Sequence, residues 1–429
     1  MIIFRTLPVA LSISVLVLAI LGVVLTPIGW RVSEFVFISD AQRDHNPLLA
    51  EMAENNRSFY SGVFHATEND ENSIKILGTR ISGPQQVFQR IVQPFYSIFG
   101  GSSSIREFFY SLFGSLWSIL VWSFLGVGIT RVCLLRLTRD ERAGLDDAFE
   151  YSLQKFLTAM LAISLPMLAV FLFCIPTFLM GLVMGFDMGT VIIGIFWFVV
   201  LALATVMAVL LAGLLFGWPL IISSVACEGQ NSFDAMTRAF AYTFQRPLNY
   251  FLYIVIAILF GGFCWVIASH LTDGIVNLGY WSTSWGTNVV SGNRIDLIEQ
   301  GALVDVMENG TQPTGDGTNP VEPGATSIDV TGPERKSLQF GRKLIGFWNG
   351  VPRTICVAFI YGLFWCMASA IYLLLRKDVD ETEMDEIYIV DERRTYELPP
   401  LKSDESGIPQ VQPLDAESQA NDPDDSDVG

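Results

Sequence analysis

Residues 191–220, VIIGIFWFVVLALATVMAVLLAGLLFGWPL, decide the fold class of this protein. The run contains no Asp, Glu, Lys, Arg or His, and a helix that crosses a bilayer needs about 20 such apolar residues. The run therefore predicts a transmembrane helix. Because it is longer than one perpendicular crossing, we expect the helix to tilt strongly or to break near Gly213, Gly217 and Pro219.

Five further apolar runs are long enough to cross a bilayer. They extend from Leu7 to about Pro27, from Phe108 to about Thr130, from Phe156 to about Val183, from about Tyr250 to Ser269 and from about Val351 to Leu375. The chain of 429 residues is 51% hydrophobic and only 16% charged, whereas soluble domains are about 25% charged. The sequence predicts an all-α membrane protein, a polytopic bundle of about six transmembrane helices with amphipathic interfacial helices.

These runs divide the chain into six predicted segments. Residues 1–30 form a signal-anchor transmembrane helix, residues 31–104 an extracytoplasmic loop with an interfacial helix, and residues 105–269 a four-helix membrane core with an internal repeat. Residues 270–350 form an extracytoplasmic flexible loop, residues 351–375 a transmembrane helix, and residues 376–429 an acidic disordered cytoplasmic tail. A cleaved signal peptide is the alternative for the first segment, but no small-residue cleavage site follows the apolar run.

The first loop contains one predicted amphipathic helix. Apolar residues recur there at helical spacing at Val87, Phe88, Ile91 and Val92. A helix with one apolar face is expected to lie in the membrane interface. Pro94 is expected to end or kink it.

The distribution of Lys and Arg predicts the orientation. The connector between the second and third spans carries Arg131, Arg136, Arg139, Arg142 and Lys155, and later basic residues at Arg238, Arg246, Arg376 and Lys377 agree with it. Both termini are therefore predicted to face the cytoplasm. A basic group between Arg335 and Arg353 disagrees, but it ends a long loop, where the rule is weak.

The two connectors on that side repeat a short pattern. Glu141 precedes Asp147-Ala148 by the same six residues as Glu228 precedes Asp234-Ala235, and Leu153-Gln154-Lys155 resembles Phe244-Gln245-Arg246. Apolar stripes predict an interfacial helix in each connector; their residues are Leu145, Phe149, Leu153 and Phe156 in the first, and Phe233, Met236, Phe240 and Phe244 in the second. The pattern predicts a duplicated unit of span, interfacial helix and span.

Local signals bound the second connector helix. Asn231 is expected to cap its start, and Arg246-Pro247 is expected to end it, because proline disfavours a helical residue before it. Small residues at Gly213 and Gly217, spaced by four, are expected to support packing within the bundle, although they would also suit dimerisation.

The chain lacks the residues that most enzymes and ion-coupled transporters use. It has no phosphate-binding glycine loop, no H-E-x-x-H, no G-x-S-x-G and no C-x-x-C motif. Its three histidines, His45, His65 and His270, are far apart, and no ionisable residue lies within the core of a span. We therefore predict no catalytic, cofactor-binding or metal-binding residues, no cofactor and no enzyme activity.

Two stretches resemble a known family. One contains Gly217-Trp218-Pro219-Leu220, Glu228-Gly229 and the run from Ser232 to Tyr250, and the other runs from Leu116-Trp117 to Arg139-Asp140-Glu141-Arg142. They resemble a family of uncharacterised bacterial polytopic membrane proteins and, more distantly, the membrane domain of some glycerophosphodiester phosphodiesterases. The nearer family implies a helical bundle in the bacterial inner membrane, with no known substrate. The catalytic domain of the phosphodiesterases has no counterpart here, so their reaction is not implied.

Two functions fit these features. The first is a non-catalytic scaffold or membrane-complex subunit, because the tail from Arg376 to Gly429 carries 17 acidic and 5 basic residues and is suited to recruiting a protein partner. The alternative is a transporter or permease for an apolar or lipid-like solute, lined by residues such as Ser111, Ser115, Ser118 and Thr205. Membrane lipids are expected partners in both cases. The acidic balance argues against nucleic acid, which needs basic patches.

Overall fold

The computed structural model describes residues 2–38, 75–76, 79–80, 83–98, 105–141, 143–291, 333–384, 386–388, 402–403 and 409–410. The chain divides into two compact units, Met1–Glu386 and Ile387–Gly429. In the first unit β1 (Lys75–Ile76) pairs antiparallel with β2 (Thr79–Arg80), and in the second β3 (Lys402–Ser403) pairs antiparallel with β4 (Pro409–Gln410). The predicted disordered tail lies largely outside the described residues.

Helices make up nearly all of the described part of the first unit. After a 3₁₀ turn at Ile2–Arg5, they are α1 (Thr6–Ala10), α2 (Ile13–Phe37), α3 (Gly83–Ile98), α4 (Ile105–Thr138), α5 (Leu145–Val183), α6 (Asp187–Ile195), α7 (Trp197–Glu228), α8 (Ser232–Gln245), α9 (Pro247–Ser291) and α10 (Pro333–Asp380). Among them, α2, α4, α5, α7, α9 and α10 each contain a stretch long and apolar enough to cross a membrane. The predicted all-α polytopic bundle with six spans is confirmed.

Two of the six spans, α4 and α10, form the centre of the bundle. Most of their apolar stretch is buried inside the protein, and both helices contact α2, α3 and α7. Aromatic side chains fill the interface between them: the ring of Trp122 stacks on Tyr361 with centroids 4.9 Å apart and lies 6.0 Å from Trp365. Gly22 of α2 leaves room for Trp122, since a Cβ there would lie 2.7 Å from its ring.

The prediction that the fourth span breaks near Gly213, Gly217 or Pro219 is wrong. Helix α7 runs without interruption from Trp197 to Glu228, and the break falls at Phe196, between α6 and α7. Transmembrane helices tolerate proline because neighbouring helices, side chains and local backbone adjustments satisfy the backbone groups that proline frees.

The two connectors differ, although the sequence predicts a separate interfacial helix in each. The second forms α8, which begins after Asn231 and ends at Gln245, as predicted. The first continues directly into the third span as α5. The reason is local: Pro247 follows the second connector and starts α9, whereas the first copy has Phe156 at that place and nothing to stop the helix.

Helix α3 also differs from its prediction, because its apolar face lies against other helices. It contacts α4, α9 and α10, and Val87 and Val92 are buried. Its start at Gly83 adopts a positive φ of 46°, and a Cβ there would lie 2.9 Å from the Gly261 carbonyl oxygen of α9. Glycine therefore allows the chain to enter the bundle at this point. The helix continues past Pro94 to Ile98.

The last two spans extend into the predicted flexible loop of residues 270–350. Helix α9 continues to Ser291, and α10 begins at Pro333. Only residues 292–332 of that loop lie outside the described part of the chain.

Residues 171–212, which we call the hairpin, leave the bundle. The buried residues of α5 stop at Val170, and those of α7 begin at Gly213. Asp187 is the one charged residue of the hairpin. Helix α7 has 32 residues and is therefore about 48 Å long, against about 30 Å for the hydrocarbon core. The strong tilt that the sequence predicts would accommodate this length.

Candidate binding site

A cavity of about 440 Å³ lies where the hairpin leaves the bundle. Helix α3 contributes Ile91 and Val92 to its wall, α4 contributes Ser118, Ile119, Trp122 and Ser123, α5 contributes Ile163 and Met167, and α7 contributes Ala208, Leu211, Ala212, Leu214, Leu215, Trp218 and Ile222. None of these side chains is charged. The volume falls within the roughly 300–1,000 Å³ of small-molecule sites, and the wall suits an apolar occupant.

This larger cavity lies beside the middle of α7, and its α7 wall is incomplete. The α7 residues that line it lie between Ala208 and Ile222, in a helix that runs from Trp197 to Glu228. Ala208 is exposed and Ala212 is half-buried, so the cavity is open to the surface of the bundle on this side.

A second, smaller cavity of about 200 Å³ lies on the other side of α3 and α7. Its wall includes Pro84, Gln85 and Phe88 of α3, Phe216, Pro219 and Leu220 of α7, Tyr250, Ile254, Ala257 and Ile258 of α9, and Phe364, Met367, Ala368 and Ile371 of α10. The two cavities are adjacent, because Trp218 lines the first while Pro219 lines the second. The smaller cavity also has no charged side chain in its wall.

Three aromatic rings stand between the cavities, and we call them the three-ring stack. The Trp218 ring stacks on Phe88 at a centroid distance of 5.9 Å and on Phe364 at 5.6 Å. Phe88 belongs to α3, Trp218 to α7 and Phe364 to α10, so the stack joins three helices. Aromatic pairs at such distances contribute about 0.5–1.5 kcal/mol each beyond their buried area.

The wall of the larger cavity carries buried polar groups. Among the described residues, Trp122 Nε1, Ser123 Oγ and Trp218 Nε1 have no hydrogen-bond partner. Ser118, by contrast, accepts from Trp30 Nε1 at 3.2 Å and donates to the Gly114 carbonyl at 2.9 Å. A buried donor without a partner costs about 1–3 kcal/mol. Each of these three atoms has almost no accessible surface, so the surface that the cavity offers to an occupant is apolar.

The four polar residues predicted to line a transport path do not all meet. Ser111, Ser115 and Ser118 are buried on one side of α4, and Ser118 reaches the larger cavity. Thr205 is exposed on the hairpin, where its hydroxyl donates to the Leu201 carbonyl of its own helix. The sequence missed Ser123 and the aromatic residues of the stack, because their role depends on contacts between helices far apart in the chain.

Three charged side chains and a tyrosine meet at the C-terminal end of α7. We call them the polar clamp: Glu228, Arg238, Tyr372 and Arg376. Glu228 Oε2 lies 2.5 Å from Arg238 Nη1, and its Oε1 lies 3.4 Å from Arg376 Nε. Tyr372 donates to Oε1 at 2.7 Å. The carboxylate thereby joins the ends of α7, α8 and α10, and its charge is compensated on both oxygens.

The last carbonyl groups of α7 are satisfied by α4 and α5. Arg131 donates to the Ala226 carbonyl at 3.1 Å, Tyr151 to the Val225 carbonyl at 2.9 Å and Lys155 to the Gly229 carbonyl at 2.6 Å. The Arg131 guanidinium also lies 4.5 Å from the centre of the Tyr151 ring. Helix ends leave such carbonyls without internal partners, so these contacts fix where α7 ends.

The contacts at this end reveal a longer repeat than the sequence comparison found. Residues 148–155, AFEYSLQK, match residues 239–246, AFAYTFQR, without a gap. The buried positions also match, with Ala148, Tyr151 and Ser152 in one copy and Ala239, Tyr242 and Thr243 in the other. Each tyrosine donates to the end of another span, Tyr151 to Val225 of α7 and Tyr242 to Asp380 of α10. The shared tyrosine is the sequence signal for this ungapped match, but the comparison in the sequence analysis relied on the spacing of the acidic residues instead.

Two side chains of α8 have altered acid–base behaviour. Partial burial of Arg238 acts to lower its pKa, but the Glu228 carboxylate together with Tyr372 and Tyr242 outweighs this, and the net effect is a raised pKa. Burial raises the pKa of Tyr242, and its hydrogen bond to Asp380 raises it further. Arg238 therefore stays charged and Tyr242 stays neutral at physiological pH.

No group of three or more His, Cys, Asp or Glu residues that would hold a metal ion occurs in the described part of the chain. All six cysteines are free. His270 lies on α9, while His45 and His65 lie outside the described residues.

Comparison with known proteins gives no relative. No family model, no curated protein and no solved structure matches the chain. The resemblance to uncharacterised bacterial membrane proteins therefore stays a prediction, and the function has to be argued from the cavities and the clamp.

Proposed function

We propose that this protein is a transporter or permease that binds an apolar or lipid-like solute in the larger cavity. The observation that carries the proposal is the cavity itself: about 440 Å³ beside the middle of α7, with no charged residue in its wall and a partly open α7 side. A charged or strongly polar solute would have to lose its hydration there without compensation. An apolar solute enters from the lipid without that cost.

We also propose a cellular location for the protein and an orientation in its membrane. The Glu228 end of the bundle carries Arg131, Arg238 and Arg376, and an excess of basic residues favours the cytoplasmic side. We place this end and both termini in the cytoplasm and the protein in the inner membrane of a bacterium. We further propose that the protein is not an enzyme and uses no cofactor or metal.

Photoreactive labelling tests the binding step. The full-length protein is placed in lipid nanodiscs with a photoreactive single-chain fatty acid, and the labelled peptides are identified by mass spectrometry. We expect adducts on the α5 and α7 segments that contain Ile163, Met167 and Ala212. Labelling that is no stronger there than on the exposed hairpin surface would overturn the proposal.

A matched pair of variants tests the site. Ala212→Phe places a ring in the larger cavity, and Ala202→Phe places the same ring on the exposed surface of the same helix. We expect Ala212→Phe to lower labelling of the cavity at least tenfold and Ala202→Phe to leave it unchanged. The movement step is tested with both variants in sealed vesicles, by the rate at which a fluorescent lipid changes leaflet.

A scaffold or complex subunit is the second candidate function, and one contact favours it. Arg376 donates to the Glu386 carbonyl at 2.6 Å, so the chain beyond α10 is held against the polar clamp before the acidic tail begins. A tail fixed in this way is suited to a protein partner. Truncation after Tyr388 should then remove a stoichiometric partner from the purified complex, and an unchanged set of copurifying proteins would exclude this role for the tail.

A further inference from the structure

The two cavities differ in size but not in chemistry, and they share a wall. Phe88 of α3 lines the smaller cavity, while Ile91 and Val92, one turn later, line the larger one. On α7, Trp218 lines the larger cavity and Pro219 the smaller one. The two cavities are therefore separated by about the thickness of one side chain, and the three-ring stack fills the space between them.

We propose that the solute is a two-chain glycerolipid without a charged headgroup, with one hydrocarbon chain in each cavity and the three-ring stack between the chains. This inference rests on the proposed function and names its substrate class. Both walls are free of charged residues. A lipid with a single chain would fill one cavity and leave the other empty, at the cost of the contacts that an apolar wall loses to a void.

Helix α3 separates the two cavities. It inserts Phe88 against Trp218, and its start is held close to α9 by Gly83 and Gly261. The Phe88 side chain thus determines whether the cavities are separate. Phe88→Ala should join them and lower the preference for two chains over one.

The test compares two probes that carry the same photoreactive chain, a free fatty acid and a diacylglycerol, which has no charged headgroup. With the full-length protein in nanodiscs, the two-chain probe should label both the α9 segment at Ala257 and Ile258 and the α5 segment at Met167. The fatty acid should label the α5 segment at least tenfold more strongly than α9. A two-chain probe that labels only the larger cavity overturns the inference.

Filling the smaller cavity separates the two proposals. Ala257→Phe should lower capture of the two-chain probe at least tenfold and change capture of the fatty acid less than twofold; Leu259→Phe, on the exposed face of α9, is the control. If Ala257→Phe does not fold, Ile258→Trp fills the same cavity. Unchanged capture of the two-chain probe overturns the inference and leaves the proposed function intact. If neither probe labels either cavity in the unaltered protein, the proposed function fails.

Discussion

The two ends of α7 lie in opposite environments. From Gly213 to Cys227 the helix is largely buried, and its last residue, Glu228, is held by Arg238, Tyr372 and Arg376. From Trp197 to Ala212 none of its residues is buried. The same helix is thus fixed at one end and surrounded by lipid-facing surface at the other.

The difference shows which contacts fix a membrane bundle. Apolar side chains gain little by moving from lipid to protein, so packing of the hairpin against the bundle has no strong hydrophobic driving force. Charged groups in the same setting are expensive unless they are paired. The polar clamp therefore anchors the bundle, and the hairpin end is left free to bound a cavity that a solute can enter.

Removal of the clamp carboxylate should have the largest effect. Glu228→Ala leaves the largely buried Arg376 with only the exposed Glu386 carboxylate, 3.9 Å away, as its ionic partner, and breaking a buried pair costs about 3–5 kcal/mol. The exposed Glu141, its partner in the sequence repeat, is the control, and Glu141→Ala should stay within about 0.5 kcal/mol of the parent. Thermal melting in detergent, read by a thiol dye that labels the buried cysteines on unfolding, measures both. Equal melting of the two variants would contradict the anchoring role.

The two repeated tyrosines should contribute different amounts to stability, because Tyr242 donates to a charged carboxylate and Tyr151 to a neutral carbonyl. Tyr242→Phe removes a hydrogen bond to the Asp380 carboxylate, worth about 1.5–3 kcal/mol, while Tyr151→Phe removes one to a neutral carbonyl, worth about 1 kcal/mol. We expect Tyr242→Phe to lower the stability more in the same melting experiment. The reverse order would mean that the Asp380 contact contributes less than its geometry indicates.

Two glycine substitutions sharpen the boundary between the fixed and free regions. A Cβ at Gly213 would lie 2.7 Å from the Phe240 ring of α8, whereas one at Gly181, in the hairpin, meets nothing within 4 Å. Gly213→Ala should therefore destabilise the protein by roughly 1–2 kcal/mol. Gly181→Ala should be neutral or stabilise it by up to about 1 kcal/mol, because alanine favours helix over glycine. If both substitutions stabilise the protein, or both destabilise it, the boundary between the fixed and free regions does not lie between Gly181 and Gly213.

The smallest expected effect on stability is that of alkaline pH. The folded protein holds the proton of Tyr242 more tightly than the unfolded chain, since burial and Asp380 raise its pKa above the usual value of about 10. The stability linked to Tyr242 is complete below pH 10 and is lost as the pH rises above it. Tyr242→Phe should therefore flatten the fall in melting temperature above pH 10, and an identical fall in both proteins would contradict this.

The fold class and the ends of several elements could be predicted because they depend on neighbouring residues. Pro247 ended α8 at Gln245 as predicted, and its absence from the first copy explains why α5 is continuous. The predicted interfacial position of α3 failed for a different reason. Its apolar stripe at Val87, Phe88, Ile91 and Val92 is compatible with lipid or with protein, and nothing local distinguishes the two.

The candidate site was predicted only in part. Ser118 was singled out as a lining residue and does line the larger cavity, but Trp218 and Phe88, which separate the two cavities, were not recognised as a pair. Glu228 was interpreted as a helix-end residue; its pairing with Arg376 of α10 joins two spans. A single sequence carries no local signal for a contact over such a separation.

The sequence by itself determined that the chain is a bundle of six membrane spans, because span length and hydropathy are properties of consecutive residues. It also determined that the cores of the predicted spans contain no charged residue. Only the tertiary structure decided that α3 enters the bundle, that two cavities flank the three-ring stack, and that Glu228 closes the clamp with Arg376. Each of these depends on which helices lie side by side, and that is settled by packing between residues distant in the chain.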